Sequence, residues 1–396
     1  MTTKPTPAPY GGPAVFSYGF RPLFMGAGIF AVLIVPLWMA IWSGQIALGG
    51  PLSPLDWHIH EMLFGCTSAV IAGFLFTAIP NWTGRMPTRG WPLMALTALW
   101  LSGRLAVAGA LGLGPVAVMV IDWAFMAAIG TMVTVEIVAE RNWSNLKVVV
   151  PVLLYLAANI TFHVETMVAG TADYGRRLGF AMVVMLIGLI GGRIIPSFTR
   201  NWLVKQSPEP GPLPVPFGRF DALSLGGVLL ALAVWVVWPM SMLSGVLMGL
   251  AGVGQGARML RWRGWRVWSS PLVLMLHVAF GFIPAGLVAL GLSALADFPP
   301  ATGYHLLGIG GFGGMTLAVM MRASLGHTGR ALQAGPALTL AFACVAFAAV
   351  ARVAAPLPLG LWIAAALWTA GFGIFVWRFA PVLTLPNPAR RQPNGR

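Results

Sequence analysis

Two histidines and two carboxylates stand together at the beginning of one long apolar stretch, residues 56–85, which reads DWHIHEMLFGCTSAVIAGFLFTAIPNWTGR. His58 and His60 are two residues apart, and Glu61 follows directly. Residues at this spacing on a helix differ in direction by roughly 200°, so the two imidazoles would face opposite sides. Imidazole is a common protein ligand for transition metals. The pair therefore predicts at least one metal ligand. Both histidines serve one centre if the chain is not yet helical there; otherwise they serve two centres, or one of them is structural.

Three further histidines, in separate apolar segments, are candidate metal ligands: His163, His277 and His305. Asn159, His163 and Thr166 share one helix face by their spacing. Two interpretations of His163 stay open. It is either a metal ligand supported by these neighbours, as ligating histidines usually are, or one half of a His–Asn contact between membrane helices.

The composition indicates an integral membrane protein. Hydrophobic residues make up 58% of the 396 and charged residues only 9%, whereas a typical soluble domain has about 25% charged residues. The formal net charge is +14, but the basic residues are dispersed in short clusters between apolar segments. Such clusters are typical of loops that set membrane orientation. The lipid bilayer is therefore an expected partner, and nucleic acid is not.

Apolar runs near the roughly 20 residues that cross a bilayer predict twelve transmembrane helices. Their approximate bounds are 23–42, 57–79, 92–112, 115–138, 148–169, 178–198, 220–238, 240–259, 268–292, 303–322, 336–354 and 357–377. Most of the 24 lysines and arginines fall on the inner side if the N-terminus is cytoplasmic. We therefore predict an all-α, polytopic membrane protein with both termini cytoplasmic. It comprises a Pro-rich segment at 1–20, a single twelve-helix domain at 21–380 and a basic tail at 381–396.

With this orientation, most of the candidate ligands fall in the outer half of the membrane. His58, His60, His163 and His305 lie towards the outer ends of their helices, and His277 lies near the middle of its helix. Only His327 falls on the cytoplasmic side. Because a polar group at membrane depth needs a partner, a metal or a water-filled cavity, this clustering predicts an outer-half metal site.

Three charged residues, Glu61, Arg104 and Asp122, also lie in apolar segments near this predicted site. Glu61, beside the histidines, is a candidate for proton delivery. Arg104 and Asp122 lie at equal depth on adjacent antiparallel helices, which favours a buried ion pair between them.

Several motifs, in order along the chain, resemble the NnrS family of bacterial membrane proteins. They are FRPLFMGAGIF at 20–30, WHIHEMLFGCTSAVIAGFLFTAIPNWTGR at 57–85, GRIIPSFTRN at 192–201 and GIGGFGGMTLAVMMRASLGHTGR at 308–330. The resemblance implies a multi-pass protein of the bacterial inner membrane that contains haem, expected to be of the b type, and copper. It also implies a link to denitrification and to relief of nitric oxide stress.

The resemblance points to four residues of the matched motifs: His58, His60, Arg193 and His327. It does not say which of them bind haem and which bind copper. On depth, His327 would be structural. Of the other candidates, His277 is also a possible haem ligand, and the alternative role for Arg104 is to bind a haem propionate.

The leading functional hypothesis is a haem–copper protein that binds nitric oxide and removes it by reduction to N₂O, with quinol or a periplasmic cytochrome as the electron donor. Two alternatives belong to other classes. One is a protein that senses or stores nitric oxide without turnover, and the other is a transporter of copper, haem or a metal–nitrosyl species.

Overall fold

Helices form all of the regular secondary structure in the computed structural model, which describes residues 10–143, 149–209 and 211–386. The α-helices are α1 Phe20–Trp42, α2 Pro54–His60, α3 Thr67–Thr83, α4 Trp91–Val107, α5 Pro115–Ala139, α6 Val149–Ala169, α7 Tyr174–Gln206, α8 Arg219–Val237, α9 Met242–Leu260, α10 Pro271–Leu295, α11 Pro300–His305, α12 Gly314–His327, α13 Pro336–Ala354 and α14 Leu359–Thr384. Two π-helical stretches, π1 Glu61–Cys66 and π2 Leu306–Gly313, join α2 to α3 and α11 to α12. Short 3-10 helices lie at Ala14–Phe16 and Gly264–Val267.

Ten helical stretches among the described residues are long and apolar enough to cross a bilayer. The prediction of an all-helical integral membrane protein is therefore confirmed. Each of the twelve predicted segments overlaps a helix, but two fall outside this set of ten: α4, which has 17 residues, and α9, which has 19. The number of spans and the side on which the termini lie stay predictions. Residues 1–9 of the predicted N-terminal segment and 387–396 of the predicted tail lie outside the described residues.

The outside of the helix bundle is apolar. Large hydrophobic side chains on many helices are exposed, including Leu33, Val168, Leu223, Leu250 and Phe347. Soluble monomers rarely expose contiguous apolar surface on this scale, whereas lipid tails cover it. The exposed surface therefore supports membrane insertion independently of the helix lengths.

Proline begins many of these helices. It occupies the first turn of α2, α4, α5, α10, α11 and α13. Proline suits this position because its fixed φ matches the helix and its missing N–H would have had no partner there. Ser53 also caps α2: its hydroxyl accepts a hydrogen bond from the Asp56 backbone N–H at 3.2 Å. The start of α2, and hence the direction of its histidines, is thereby fixed locally.

The two π-helical stretches lie inside the bundle. π1 contacts α1, α3, α4 and α7, whereas π2 contacts α7, α10, α12 and α13. α14 packs along both α1 and α13. A π-helix bonds i to i+5 and is frequent at functional sites. Because π1 and π2 both contact α7, the region between them is a candidate location for a functional site.

Candidate functional site

His58 and His60 face opposite sides of α2, as their spacing predicts. The chain is helical through both residues, so the two imidazoles cannot converge on one ion. His58 lines a cavity, and its ring stacks on that of Trp38 with 4.4 Å between centroids and 12° between planes. His60 is fully buried and lies against Phe162 and His163. Each histidine therefore belongs to a separate group of side chains.

A buried ion network surrounds His60, and Arg104 is its cation. The guanidinium of Arg104 donates hydrogen bonds to Glu61 and to Asp122, and all three side chains are buried. The predicted Arg104–Asp122 ion pair is confirmed. Glu61 is a second anionic partner of Arg104, which the depth of these residues in the membrane did not predict. Arg104 thus pairs with two carboxylates, and its alternative role at a haem propionate stays a prediction.

Asp122 is the point at which the network meets the histidines. Its Oδ2 lies 3.1 Å from Nε2 of His60 and 3.1 Å from Nε2 of His163, and it accepts a hydrogen bond of 2.8 Å from Asn159 Nδ2. Asn159 Oδ1 also lies 3.1 Å from His60 Nε2. Asn159 and His163 thus reach the same site from one face of α6. Thr166 does not, because its hydroxyl donates to the backbone carbonyl of His163.

This arrangement could hold a metal ion. One ligand atom each from His60, Asp122 and His163 lies within 4.8 Å of the others, and all three residues are buried. His60 Nδ1 lies 3.1 Å from Glu61 Oε1, which is the carboxylate support that ligating histidines usually have. Two carboxylates and one guanidinium leave one negative charge, which a cation bound here would balance.

Glycine makes room for the network in π1. A Cβ on Gly65 would lie 2.8 Å from Glu61 Oε2 and 3.2 Å from Arg104 Cζ. Both are closer than such atoms normally approach. A side chain at position 65 would therefore clash, because the ion pair between Glu61 and Arg104 occupies the space that it would take.

On the other side of α2 lies a cavity of about 310 Å³, at the lower end of the range for small-molecule sites. Its walls are mostly apolar, with Trp38, Phe180, Phe312 and Trp368 among them. π1 and π2 both border it, π1 through Met62, Leu63 and Cys66, and π2 through Gly308, Ile309, Phe312 and Gly313. Both irregular stretches of the bundle thus form part of the cavity wall.

His58 and His305 line this cavity together. Nδ1 of His305 lies 2.6 Å from the backbone carbonyl of Ala301. That nitrogen must carry the proton, since a carbonyl only accepts, and Nε2 therefore keeps its lone pair for a metal. Nδ1 of His58 is buried and has no hydrogen-bond partner within the described ranges. Both imidazoles fit ligation of a metal-centred group.

A comparison with protein families agrees with the motifs. The family model described as NnrS protein matches residues 14–387, nearly the whole chain. The chain belongs to the NnrS family. No curated protein matches it in a sequence comparison. Family membership links the chain to nitric oxide in general terms and associates it with metals.

His277 of this NnrS-family chain lies apart from both histidine groups. It is in the second turn of α10, and not near the middle of the helix as the sequence suggested, because α10 begins at Pro271. Its Nε2 lies 2.8 Å from Thr199 Oγ1. Thr199 comes 23 residues after Arg176, a cavity residue on the same helix, which is on the order of 35 Å along the axis. The structure therefore does not unite five histidines at one depth.

The two remaining residues that the NnrS motifs highlight are also outside these groups. His327 ends α12 and is exposed, with its ring 5.9 Å from Tyr18 and 5.7 Å from Phe20 between centroids. Arg193 is exposed on α7. The ring of His327 thus contacts aromatic residues near the N-terminus, which the motif alone does not show, and its role stays a prediction.

Sequence reasoning missed the aromatic and cationic lining of the cavity. Trp38 and Trp368 lie in long apolar helices where nothing distinguishes them from other tryptophans. Arg352 is different, because it is a charged residue near the end of an apolar helix. A charge in such a segment is a signal of function, and it could have identified this residue.

Proposed function

We propose that the chain is a twelve-span protein of the bacterial inner membrane, with both termini in the cytoplasm, which binds nitric oxide at a haem- and copper-dependent site and reduces it to N₂O. The observation that supports this best is the arrangement of His58 and His60. One imidazole reaches an apolar cavity, and the other joins a buried acid–base network on the opposite side of the same short helix. Nitric oxide reduction needs both a metal position and a source of protons.

The residues present fit two metal-centred groups. His58 and His305 would hold the haem iron at the cavity, and His60, His163 and Asp122 would hold copper, since imidazole nitrogen suits both metals. When bound, the two metals supply the redox-active positions at which nitric oxide accepts electrons. His277, His327 and Arg193 have no role in this assignment.

The rest of the chemistry belongs to the side chains of the chain. Nitric oxide is small, uncharged and soluble in lipid, so apolar walls inside the membrane admit it without a polar entrance. Reduction of two molecules to N₂O and water consumes two protons and two electrons. Glu61 is the proposed route for protons, since it contacts His60 and Arg104 and is followed by Met62 and Leu63 on the cavity wall. A quinol or a periplasmic cytochrome is the proposed electron donor.

The first test is haem and metal analysis of the full-length protein purified in detergent, with reduced-minus-oxidised spectra before and after addition of nitric oxide. His58→Ala and His60→Ala are compared with wild type. We expect His58→Ala to remove the haem spectrum while copper is retained, and His60→Ala to remove copper while haem is retained. A nitric oxide electrode and gas chromatography then measure consumption of nitric oxide and formation of N₂O with an artificial electron donor.

Haem-free, copper-free wild type that is folded would overturn the proposal. Wild type that binds nitric oxide but consumes no more than one equivalent with excess donor would show binding without turnover. Loss of the same metal in both variants would contradict separate sites for His58 and His60.

A second candidate is transport, which the paired interruptions of π1 and π2 favour. Transporters commonly place their substrate site between two discontinuous helices, and both π stretches border the cavity. Uptake of copper or haem by proteoliposomes that contain the protein, with no consumption of nitric oxide, would favour this candidate over the reductase.

A further inference from the structure

Two arginines give the cavity its charged lining. Arg176 lies in the first turn of α7 and Arg352 in the last turn of α13, and no aspartate or glutamate lines the cavity among the described residues. The two imidazoles of the lining, His58 and His305, come from α2 and α11, the short helices that precede π1 and π2. The cavity therefore combines apolar walls, two imidazoles and a net positive charge contributed by helix ends.

Arg352 has no acidic partner among the described residues, unlike Arg104 and Arg258. Its Nε is buried and has no hydrogen-bond partner in the described part of the chain, and the side chain is half-buried. Arg104 has Glu61 and Asp122 as partners, and Arg258 has Asp221 at 2.9 Å. A cation in a membrane segment is energetically expensive unless something pairs with it. Its partner is therefore expected to come from outside the chain.

Arg176 is only partly engaged. It forms an ion pair with Asp173, a neighbour at the exposed start of α7, but its Nε is also buried without a partner. Asp173 is 52% exposed in its side chain, so its charge is well solvated and neutralises Arg176 weakly. Arg176 can thus contribute a second, weaker contact to an anion that Arg352 binds.

We propose that Arg352, assisted by Arg176, binds the carboxylates of the molecule that occupies the cavity, and that these carboxylates are the haem propionates. This inference rests on the proposed function, in which haem occupies the cavity. It assigns to Arg352 and Arg176 the role that the sequence offered to Arg104, whose Nη1 and Nη2 donate to Glu61 and Asp122. A planar guanidinium suits this task because it binds a carboxylate through two parallel hydrogen bonds.

The test uses Arg352→Gln and Arg352→Lys in the full-length protein, with Arg378→Gln as the matched control. Arg378 also lies in a membrane helix, but it is exposed, its guanidinium lies over Trp377, and it is not part of the cavity lining. The measurements are the haem-to-protein ratio after purification, the midpoint potential of the retained haem, and the thermal stability of the haem-free protein.

We expect Arg352→Gln to lower the haem-to-protein ratio several-fold and to shift the midpoint potential of the remaining haem downward, because loss of a positive charge disfavours the added electron. Arg352→Lys should restore much of the potential but less of the haem content, since it keeps the charge and loses the planar fork. Arg378→Gln should match wild type. The thermal stability of haem-free Arg352→Gln should equal or exceed that of haem-free wild type, because the substitution removes an unpaired charge.

If wild type contains no haem, the proposed function fails and this inference fails with it. If wild type contains haem and Arg352→Gln matches Arg378→Gln in ratio and potential, this inference alone is wrong. Loss of a co-purified anionic phospholipid from Arg352→Gln, with haem unchanged, would also overturn it. A large fall in the stability of the haem-free variant would show a structural role for Arg352 and contradict the proposal.

Discussion

The two sides of α2 satisfy their polar groups in opposite ways. Around His60, the side chains of Glu61, Arg104 and Asp122 are joined by hydrogen bonds and ion pairs within the protein. Around His58, the buried Nδ1 of that residue and Nε of Arg352 have no partner among the described residues. The carboxylates of the network are thus paired within the chain, although Nε of Arg104 has no partner among the described residues, whereas no described acidic residue lines the cavity.

This difference follows from the energetics of buried polar groups. A buried donor or acceptor without a partner costs about 1–3 kcal/mol, and more when it is charged, so most are satisfied. The buried, unpartnered nitrogens of His58, Arg176 and Arg352 at the cavity therefore favour a ligand there, while the paired carboxylates around Arg104 indicate a preorganised support. The short helix α2 presents His58 to the cavity and His60 to the network.

The largest effect is expected from removal of the network's cation. Arg104→Met would leave Glu61 and Asp122 buried without their positive partner, which we expect to destabilise the protein by about 3–5 kcal/mol. Thermal unfolding in detergent, followed by size-exclusion chromatography, would show the loss.

Arg85→Met is the matched control. Arg85 pairs with Glu136 and Glu140, but its side chain is 41% exposed, so its loss should cost below about 1 kcal/mol. Equal stability changes in the two variants would mean that the Arg104 network contributes no more than a surface ion pair.

A smaller effect is expected from filling the space in π1. Gly65→Ala would press a methyl group against Glu61 and Arg104, and we expect a loss of about 1–3 kcal/mol from this overpacking. Copper content should fall, while the haem spectrum should persist. Gly373→Ala, in α14 with nothing near its added Cβ, should be neutral or slightly stabilising. Copper content equal in both variants would indicate that the network does not depend on this close packing.

Much of the network could be predicted from the sequence, because its logic is local. The two-residue spacing separates His58 from His60, the four-residue spacing places Asn159 beside His163, and equal depth brings Arg104 to Asp122. None of these steps requires knowledge of the tertiary fold beyond adjacent antiparallel helices.

The cavity could not be predicted in the same way, because it depends on which distant helices meet. His58 and His305 are far apart in sequence, and Arg352 comes from a third helix. π1 and π2 also change the directions that a regular helix would give. His277 was misplaced for a related reason: its helix begins at Pro271, and its neighbour Thr199 lies at the far end of α7.

The smallest effect is expected from the aromatic partner of His58. Since Nδ1 of His58 has no hydrogen bond, stacking on Trp38 is the contact that orients the ring. Trp38→Leu removes an interaction of about 0.5–1.5 kcal/mol, so stability should change little. We expect the haem absorption bands to broaden or shift, with copper content unchanged. Trp38→Phe, which keeps an aromatic face, should show less of this change.

Phe162→Leu provides the matching test on the other side of the helix. The Phe162 ring meets that of His60 at 66° with 5.3 Å between centroids, so the substitution loosens His60 and leaves the His58 stack intact. Copper content should fall and the haem bands should stay unchanged, the reverse of the result for Trp38→Leu. If both variants disturbed the same spectral component, the two histidines would serve one coupled centre, and the separation drawn from their opposite directions on α2 would not hold in function.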